Sequence, residues 1–427
     1  AWINIPFNDP ISQFYPFYLQ LRSVTDNEVL LAVGDVCRVG VMQRVTDTYG
    51  PIPYSQVGEA NTLNSPYDSQ QEVYTRMFGE LDAAVEPLSA HAAESFSAKA
   101  DAVYGGNIAK WVRFANSLKL RLAMRIVYAD PETARTKAEE AVADPIGVMA
   151  DNSDNARRLI SKNNPWDFFM NQWGDARASA DIVSYMNGYN DPRREFYFTL
   201  STFDEKTTGI VNGYHGVRNG IEQQRYLNSK ETMNCYSRMA VRSSDPICIM
   251  NAAEVAFLRA EGALRGWSMG GDAESFYRQG VTLSFEQWGA AGAAEYLADA
   301  EHTQETYADP LGNYSYSGTP SGCTIAWETG ADRFERNLER IITQKWIANY
   351  PMGVESWSEY RRTGYPRLMA VPHNMSGGVV DDARGARRMP YPDTEYTENT
   401  ENYAKALQML GGKDDMSTRV WWDRKNN

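Results

Sequence analysis

Apolar side chains recur every three or four residues along several long segments of this chain. This spacing restricts those segments to α-helices that each bury one face. The clearest segment spans residues 107–128, and the same pattern recurs at 72–88, 251–264, 272–288 and 333–350. In the 107–128 segment the apolar positions are Ile108, Trp111, Ala115, Leu118, Leu122 and Ile126. The sequence therefore predicts a mostly helical protein.

Polar residues and prolines predict where these helices begin and end. Asn107, Asn251 and Asp272 each stand just before a periodic segment, where a short polar side chain caps the helix. Asp130 followed by a proline predicts another helix start. Pro351 ends the segment 333–350 because a proline cannot continue a helix.

The periodic pattern also assigns faces to particular side chains. Trp111 and Trp346 lie within apolar stripes, so we expect both to pack in the core, and Trp357 as well. On the 107–128 helix we expect the face opposite the apolar stripe to meet solvent through Lys119, Arg121 and Arg125.

Composition excludes some functions and permits another. The net charge of −13 disfavours contact with nucleic acid, because phosphate backbones repel an acidic surface. No stretch is apolar over the length that a membrane helix requires. Aromatic residues are abundant, with 25 Tyr, 15 Phe and 11 Trp, and half-exposed Tyr and Trp suit the apolar faces of sugar rings.

Motifs with catalytic or metal-binding spacing are weak here. Gly266–Gly270 fits G-x-S-x-G, but a predicted helix precedes it where a hydrolase needs a strand. Asp151–Asn155 lacks the distal glutamate of a calcium loop, and a solvated loop is the better interpretation. The four histidines, His91, His215, His302 and His373, are far apart in sequence. We therefore expect no catalytic residue, no metal and no cofactor.

The four cysteines, Cys37, Cys235, Cys248 and Cys323, show no metal-ligand spacing. We interpret most of them as small buried apolar residues. Their spacing leaves open whether Cys235 and Cys248 form a disulfide.

Several blocks of the chain resemble the SusD/RagB family. Residues 47–54 are similar to that family's D-x-Y-G-P-I-P-Y segment, and residues 66–74 resemble its P-Y-D-S-Q-E-E-I-Y helix start. Residues 111–125 match its W-x-K-F-A-N-S-L-R-L-R-L-A-M-R helix almost throughout. Residues 191–193, 252–261, 344–348 and 355–363 resemble its D-P-R turn, its A-E-x-x-F-L-x-A-E helix and its C-terminal Q-K-W-I-A and E-x-W-x-E-Y-R-R-T blocks. The blocks keep the family order.

This resemblance implies a fold and an organisation. We expect one SusD-like domain over 1–427, with tetratricopeptide-like helix pairs at about 28–145 and 245–350. Loop-rich regions with irregular structure and short strands, at about 151–245 and 290–330, would face the ligand, and 351–427 would pack back on the scaffold.

The resemblance also implies a function. It predicts a non-catalytic glycan-binding protein of the outer membrane that faces the cell exterior and delivers glycans to a SusC-like TonB-dependent transporter. The family's secretion signal and lipidated cysteine are not in this sequence, so we expect residues before Ala1 that carry the lipid anchor. Two alternatives stay open: a lid subunit for a peptide or other non-sugar nutrient, and a glycoside-acting enzyme.

Candidate ligand residues come from the irregular stretch between 151 and 245, because binding residues concentrate on loops. Aromatic rings there would stack on sugar faces, and amide, carboxylate and guanidinium groups would bond to hydroxyls. The aromatic candidates are Trp166, Trp173, Tyr185, Tyr189, Tyr214, Tyr226 and Tyr236. The polar candidates are Asn163, Asn164, Asn171, Asn190, Asp191 and Arg193.

Overall fold

The computed structural model describes residues 4–58, 64–174, 176–222, 234–330 and 332–425. Within these ranges the protein is mostly helical, as the periodicity predicts. The longer helices are α1 (Tyr15–Val24), α2 (Glu28–Tyr49), α3 (Gln70–Ala90), α4 (Ile108–Arg125), α5 (Pro131–Ala143), α6 (Ala180–Gly188), α7 (Ala252–Leu264), α8 (Ala273–Trp288), α9 (Phe334–Ala348), α10 (Gly353–Thr363) and α11 (Thr400–Leu410). Shorter helical turns lie at Ile5–Asp9, Pro10–Phe14, Ala98–Ala100, Asn152–Asp154, Pro165–Asp167, Phe168–Trp173, Arg194–Tyr197, Glu205–Thr208, Ala293–Leu297 and Asp393–Glu398.

The predicted caps are confirmed. The Asn107 side chain accepts a hydrogen bond from the backbone N–H of Lys110, three residues on. Asp130, Asn251 and Asp272 make the same bond at the starts of α5, α7 and α8. These bonds satisfy N–H groups that have no partner within the helix.

Neighbouring helices pack as antiparallel pairs. The pairs α2–α3, α4–α5 and α7–α8 each join helices that are consecutive in the chain, and α4 and α7 connect the pairs. In the α7–α8 pair the backbones come close at Gly280, where a Cβ atom would lie 2.8 Å from the Phe257 ring. α9 packs on α7, and α10 returns to α2.

Strands are short in the described ranges. β1 (Ile52–Pro53) pairs antiparallel with β2 (Tyr67–Asp68), placing Ile52 opposite Asp68. β3 (Ala156–Arg158) pairs antiparallel with β4 (Ile247–Met250), with a bulge between Ala156 and Arg157. The β3–β4 pair ties the start of the loop-rich region to the beginning of α7.

The charged face of α4 is buried, so the prediction that it meets solvent is wrong. Lys119 and Arg121 are each 6% exposed and Arg125 is fully buried. Arg121 donates to both carboxylate oxygens of Glu254 on α7, at 2.7 and 2.8 Å. Arg125 forms ion pairs with Glu355 and Glu359, both on α10. These partners are more than 100 residues away in sequence, so the pattern of α4 alone does not show them.

The weak motifs have structural roles. Gly266 and Gly270 both have positive φ and form the turn between α7 and α8, with no strand before them. Cys235 and Cys248 do not form a disulfide with each other. No helix in the described ranges has the length and apolar character needed to cross a membrane.

Candidate functional site

An open groove of about 360 Å³ lies between the loop-rich region and the C-terminal ends of the scaffold. One side is formed by the turn at 165–170 and the start of α6, and the other by the end of α9 and by α10. Its lining residues are Trp166, Met170, Arg177, Ala178, Ser179, Asp181, Ile182, Asn219, Met239, Trp346, Tyr350, Pro351, Gly353, Ser356, Trp357, Tyr360 and Leu368.

Five aromatic side chains form much of the groove wall. Trp346 lies in the last turn of α9 and Tyr350 lies two residues after that helix ends, whereas Trp357 and Tyr360 are three residues apart on α10. Helical residues three apart share one face, so Trp357 and Tyr360 point to the same side of α10. Trp166 lines the groove from the 165–167 turn, where the Asn164 side chain caps the turn by accepting from the backbone N–H of Trp166 at 2.8 Å.

Buried groups behind the groove fix these rings. Tyr350 stacks on Tyr197 with ring centroids 4.9 Å apart and an interplanar angle of 13°. Trp346 packs edge-to-face against Tyr185 at 5.7 Å. The Trp357 indole N–H donates to the backbone carbonyl of Ala386 at 3.0 Å. Because these contacts order the rings before a ligand arrives, binding costs less conformational entropy.

Arg361 supports Trp357 from below. Its guanidinium carbon lies 3.6 Å from the centre of the Trp357 ring, and Arg361 is fully buried. Burial is the main reason that the pKa of Arg361 falls to about 9. Its terminal nitrogens donate to the Arg387 carbonyl at 2.8 Å and the Ser358 hydroxyl at 2.9 Å. A cation over a tryptophan face is a favourable contact that also orients the ring.

A polar cluster sits at the start of α6. Asp181 is 3% exposed, and burial raises the pKa of its carboxyl group. One carboxylate oxygen accepts from the backbone N–H of Met369 at 2.8 Å. The other accepts from the Ser179 hydroxyl at 3.3 Å and the Asn219 amide at 3.2 Å. The second oxygen therefore has only long contacts, and it belongs to a residue that lines the groove.

A family model described as "Susd and RagB outer membrane lipoprotein" matches residues 1–423. The chain belongs to the SusD-like family. The sequence resemblance is thereby confirmed, and so is the mostly helical fold class.

Solved SusD structures agree closely with this SusD-like chain. A SusD homolog from Bacteroides ovatus is 50% identical, with a TM-score of 0.93 over 99% of this chain and 88% of that one. A SusD homolog from Bacteroides thetaiotaomicron is 46% identical, with a TM-score of 0.93 over 100% and 88%. A chitin-binding SusD homolog from Flavobacterium johnsoniae is 42% identical, with a TM-score of 0.88 over 99% and 86%. No curated protein sequence matches the chain.

Of the predicted ligand residues, Trp166 lines the groove of this SusD-like protein. Trp173 is 44% exposed at the end of the next helical turn, Phe168–Trp173, and packs against Phe168 with ring centroids 4.9 Å apart. Asn171 is exposed and donates to Asp167 at 2.9 Å. Tyr214 lies under the Arg194 guanidinium at 4.8 Å. Asn163 and Asn190 are exposed and have positive φ, Asn164 is buried as the cap of the 165–167 turn, and Tyr226 lies outside the described residues.

The remaining candidates are buried in the protein interior and are not among the groove-lining residues. Tyr189 is 2% exposed and donates to the Cys323 carbonyl at 2.9 Å. Tyr236 is 2% exposed and donates to Asp309 at 2.5 Å. Arg193 is fully buried and pairs with Asp191, which is 1% exposed. Tyr185 is also fully buried, behind Trp346. Their polar atoms are used in bonds to the protein itself.

Trp346 and Trp357 were expected in the core, and this interpretation is incomplete because both line the groove. Each ring has one side against the protein and one side toward the cavity. The available signal in the sequence was the concentration of aromatic residues around Pro351, with Trp346 and Tyr350 before it and Trp357 and Tyr360 after it.

Metal binding finds no support in the described part of the chain, where no three His, Cys, Asp or Glu side chains come together as a metal site would require. His91 and His302 contact nearby carboxylates on the surface. In the segment Asp151–Asn155, which was expected to be solvated, Asp154 is instead buried and pairs with Arg113 at 2.9 Å.

Proposed function

We propose that this SusD-like protein binds glycans in the groove and does not cleave them. The observation that carries the proposal is the arrangement of Trp166, Trp346 and Trp357 around a cavity whose polar end is formed by Asp181 and Asn219. The ring faces suit the C–H faces of pyranoses, and the polar groups suit hydroxyls. Pockets of this kind, largely apolar with few polar groups, are typical ligand sites.

The relatives support the same proposal. The Flavobacterium johnsoniae homolog, 42% identical over nearly the whole chain, binds chitin. Sugar hydroxyls exchange bonds with water for bonds with protein, so the net gain for each is small. We therefore expect dissociation constants of about micromolar to millimolar.

Delivery to a transporter completes the proposal. Family membership supports an outer-membrane location, a lipid anchor at the N-terminal end and a SusC-like TonB-dependent transporter as partner. In this role the protein faces the cell exterior, and weak binding lets it release its cargo to the transporter.

The groove favours sugar binding over the two alternatives. A glycosidase needs two carboxyl groups flanking the scissile bond, whereas Asp181 supplies the one carboxyl group among the described lining residues. If the protein were a lid for a non-sugar nutrient, we would expect all aromatic side chains of the loop-rich region to be buried. Several are buried, but Trp166 and the aromatic residues of α9 and α10 surround an open cavity.

Affinity electrophoresis through a panel of soluble polysaccharides tests the proposal, with product analysis of the same mixtures. We expect at least one glycan to retard the protein without releasing products. Trp166→Ala and Trp357→Ala should abolish the retardation. Tyr396→Ala is the matched control, because Tyr396 is 63% exposed and is not a groove residue.

Three results would contradict the proposal. Cleavage products would show an enzyme. Retardation that survives both tryptophan substitutions would place the site elsewhere. A complete lack of retardation would favour the lid for a non-sugar nutrient.

A further inference from the structure

The polar end of the groove combines a hydrogen-bond acceptor with an apolar surface. Asp181 and Ile182 are consecutive at the start of α6, and both line the groove. Met170, Met239 and Ala178 line it as well, and they are 8%, 6% and 3% exposed. A ligand group that reaches Asp181 therefore also meets tightly packed apolar side chains.

Asp181 retains capacity to accept a hydrogen bond. A carboxylate has about four lone-pair positions, and Asp181 receives three donors, of which two are at 3.2 and 3.3 Å. All three donors are neutral. A ligand N–H that donates to this buried carboxylate at ordinary hydrogen-bond distance would therefore be favoured, because a hydrogen bond to an ionised acceptor is stronger than one between neutral groups.

The Asn219 amide gives the same place a donor. Its nitrogen lies 3.2 Å from both Asp181 and the Ser179 hydroxyl, which fixes it at the edge of the groove. These two oxygens are only 3.3 Å apart, so one N–H of the amide can be shared between them, and the other N–H can donate to a carbonyl oxygen of a ligand.

We propose that the glycan bound here carries an N-acetyl group, so that the ligand class is the N-acetylhexosamines. The acetamide N–H donates to Asp181, its carbonyl accepts from Asn219, and its methyl group packs against Ile182 and the two methionines. A hexose hydroxyl in this place can also donate to Asp181, but it leaves the apolar surface of Ile182 and the two methionines uncovered, whereas the acetyl methyl group buries against that surface. This inference rests on the proposed glycan-binding function.

Saturation-transfer NMR on the whole chain tests the inference without assuming a linkage. The probes are the methyl glycosides of N-acetylglucosamine and N-acetylgalactosamine, each compared with its parent hexose. We expect the acetyl methyl protons to receive the largest saturation in at least one pair. That acetylated glycoside should bind about tenfold or more tightly than its parent hexose, because a buried methyl group discriminates by this order.

Two variants locate the effect. Asp181→Asn keeps the side-chain volume but replaces one acceptor oxygen by a donor, so it should remove the preference for the acetylated sugar. Trp357→Ala should weaken binding of acetylated and parent sugars alike. If Asp181→Asn does not fold, the comparison of sugars on the unmodified protein still decides.

Equal binding of a hexose and its acetylated form would overturn the inference, as would saturation confined to ring protons or absent from all four glycosides. The polysaccharide panel separates these failures from failure of the proposed function. Retardation by a glycan that lacks N-acetyl groups would keep glycan binding and reject the acetamide site.

Discussion

Glu359 on α10 offers a direct test of the buried charge network in the scaffold. It is 3% exposed, accepts from Arg362 at 2.6 and 2.9 Å and from Lys345, and forms an ion pair with Arg125 in which the closest nitrogen and oxygen are 2.8 Å apart. Burial alone would raise the pKa of Glu359, but the three adjoining cations outweigh this effect and hold it well below its ordinary value. Glu359 is therefore ionised in the folded protein at neutral pH.

Glu359→Gln removes the negative charge and keeps the side-chain volume, so cavity formation does not contribute. Three buried cations then lose a shared carboxylate. Breaking a buried ion pair in this way costs about 3–5 kcal/mol of the free energy of unfolding. Urea unfolding at pH 7, followed by tryptophan fluorescence, measures the loss.

Glu274→Gln is the matched control. Glu274 pairs with Arg278 at 2.8 Å, but their side chains are 35% and 47% exposed. An exposed pair of this kind contributes about 0.5 kcal/mol or less. A loss below about 1 kcal/mol in Glu359→Gln would refute the argument that a buried charge is left uncompensated. Adding Lys345→Met, which removes a buried cation, should restore part of the stability.

Three further predictions follow from the same structure. Trp357→Ala should lower the affinity for any glycan that retards the protein by about tenfold or more, measured by titration calorimetry. Burial would raise the pKa of Glu261, but Arg362 and Arg265 outweigh it and lower the value to about 2. Because this folded-state pKa lies below the unfolded value, the stabilisation is complete above about pH 4.5 and is lost as the pH falls toward 2. This stabilisation amounts to about 3 kcal/mol of the free energy of unfolding. Between about pH 4.5 and pH 2, the urea midpoint of the Glu261→Gln variant should therefore depend less on pH than that of the unmodified protein. Thiol alkylation at neutral pH should label at most one cysteine of the native chain and all four after unfolding, because burial raises the pKa of three thiols to about 11 or 12: Cys37, Cys248 and Cys323.

The sequence predicts the scaffold well because the signals for helices are local. Asn107, Asp130, Asn251 and Asp272 all cap helices as expected, since a cap depends on residues only two or three positions away. The family blocks add the order of the helices, which periodicity alone does not determine.

Predictions failed where a distant partner decides the environment. Arg121 and Arg125 look like a solvated face of α4, but Glu254 and Glu355 meet them from other parts of the chain. Conversely, Asp191 is a polar residue in an irregular stretch, and it is buried because Arg193 and other internal groups satisfy it. Local sequence patterns give no information about such partners.

The groove was predicted only in part, for the same physical reason. Trp166 belongs to an irregular stretch and was expected to contact the ligand. It lines the groove, and its contact with a ligand remains a prediction. Trp346 lies in the apolar stripe of α9, and a stripe does not distinguish a ring enclosed on both sides from one that borders a cavity. The contribution of α9 and α10 becomes visible only when the loop-rich region is placed opposite them.

α10 connects the charge network to the groove. Trp357 and Tyr360 lie on its groove face, whereas Glu355 and Glu359, four residues apart, point into the scaffold. Rotating α10 about its axis would withdraw both carboxylates from buried cations, at a cost of several kcal/mol. A buried ion pair adds little net stability compared with apolar packing, but it strongly disfavours other arrangements of the same elements. The buried charges therefore fix the orientation of α10, and through it the direction in which the Trp357 ring faces the ligand.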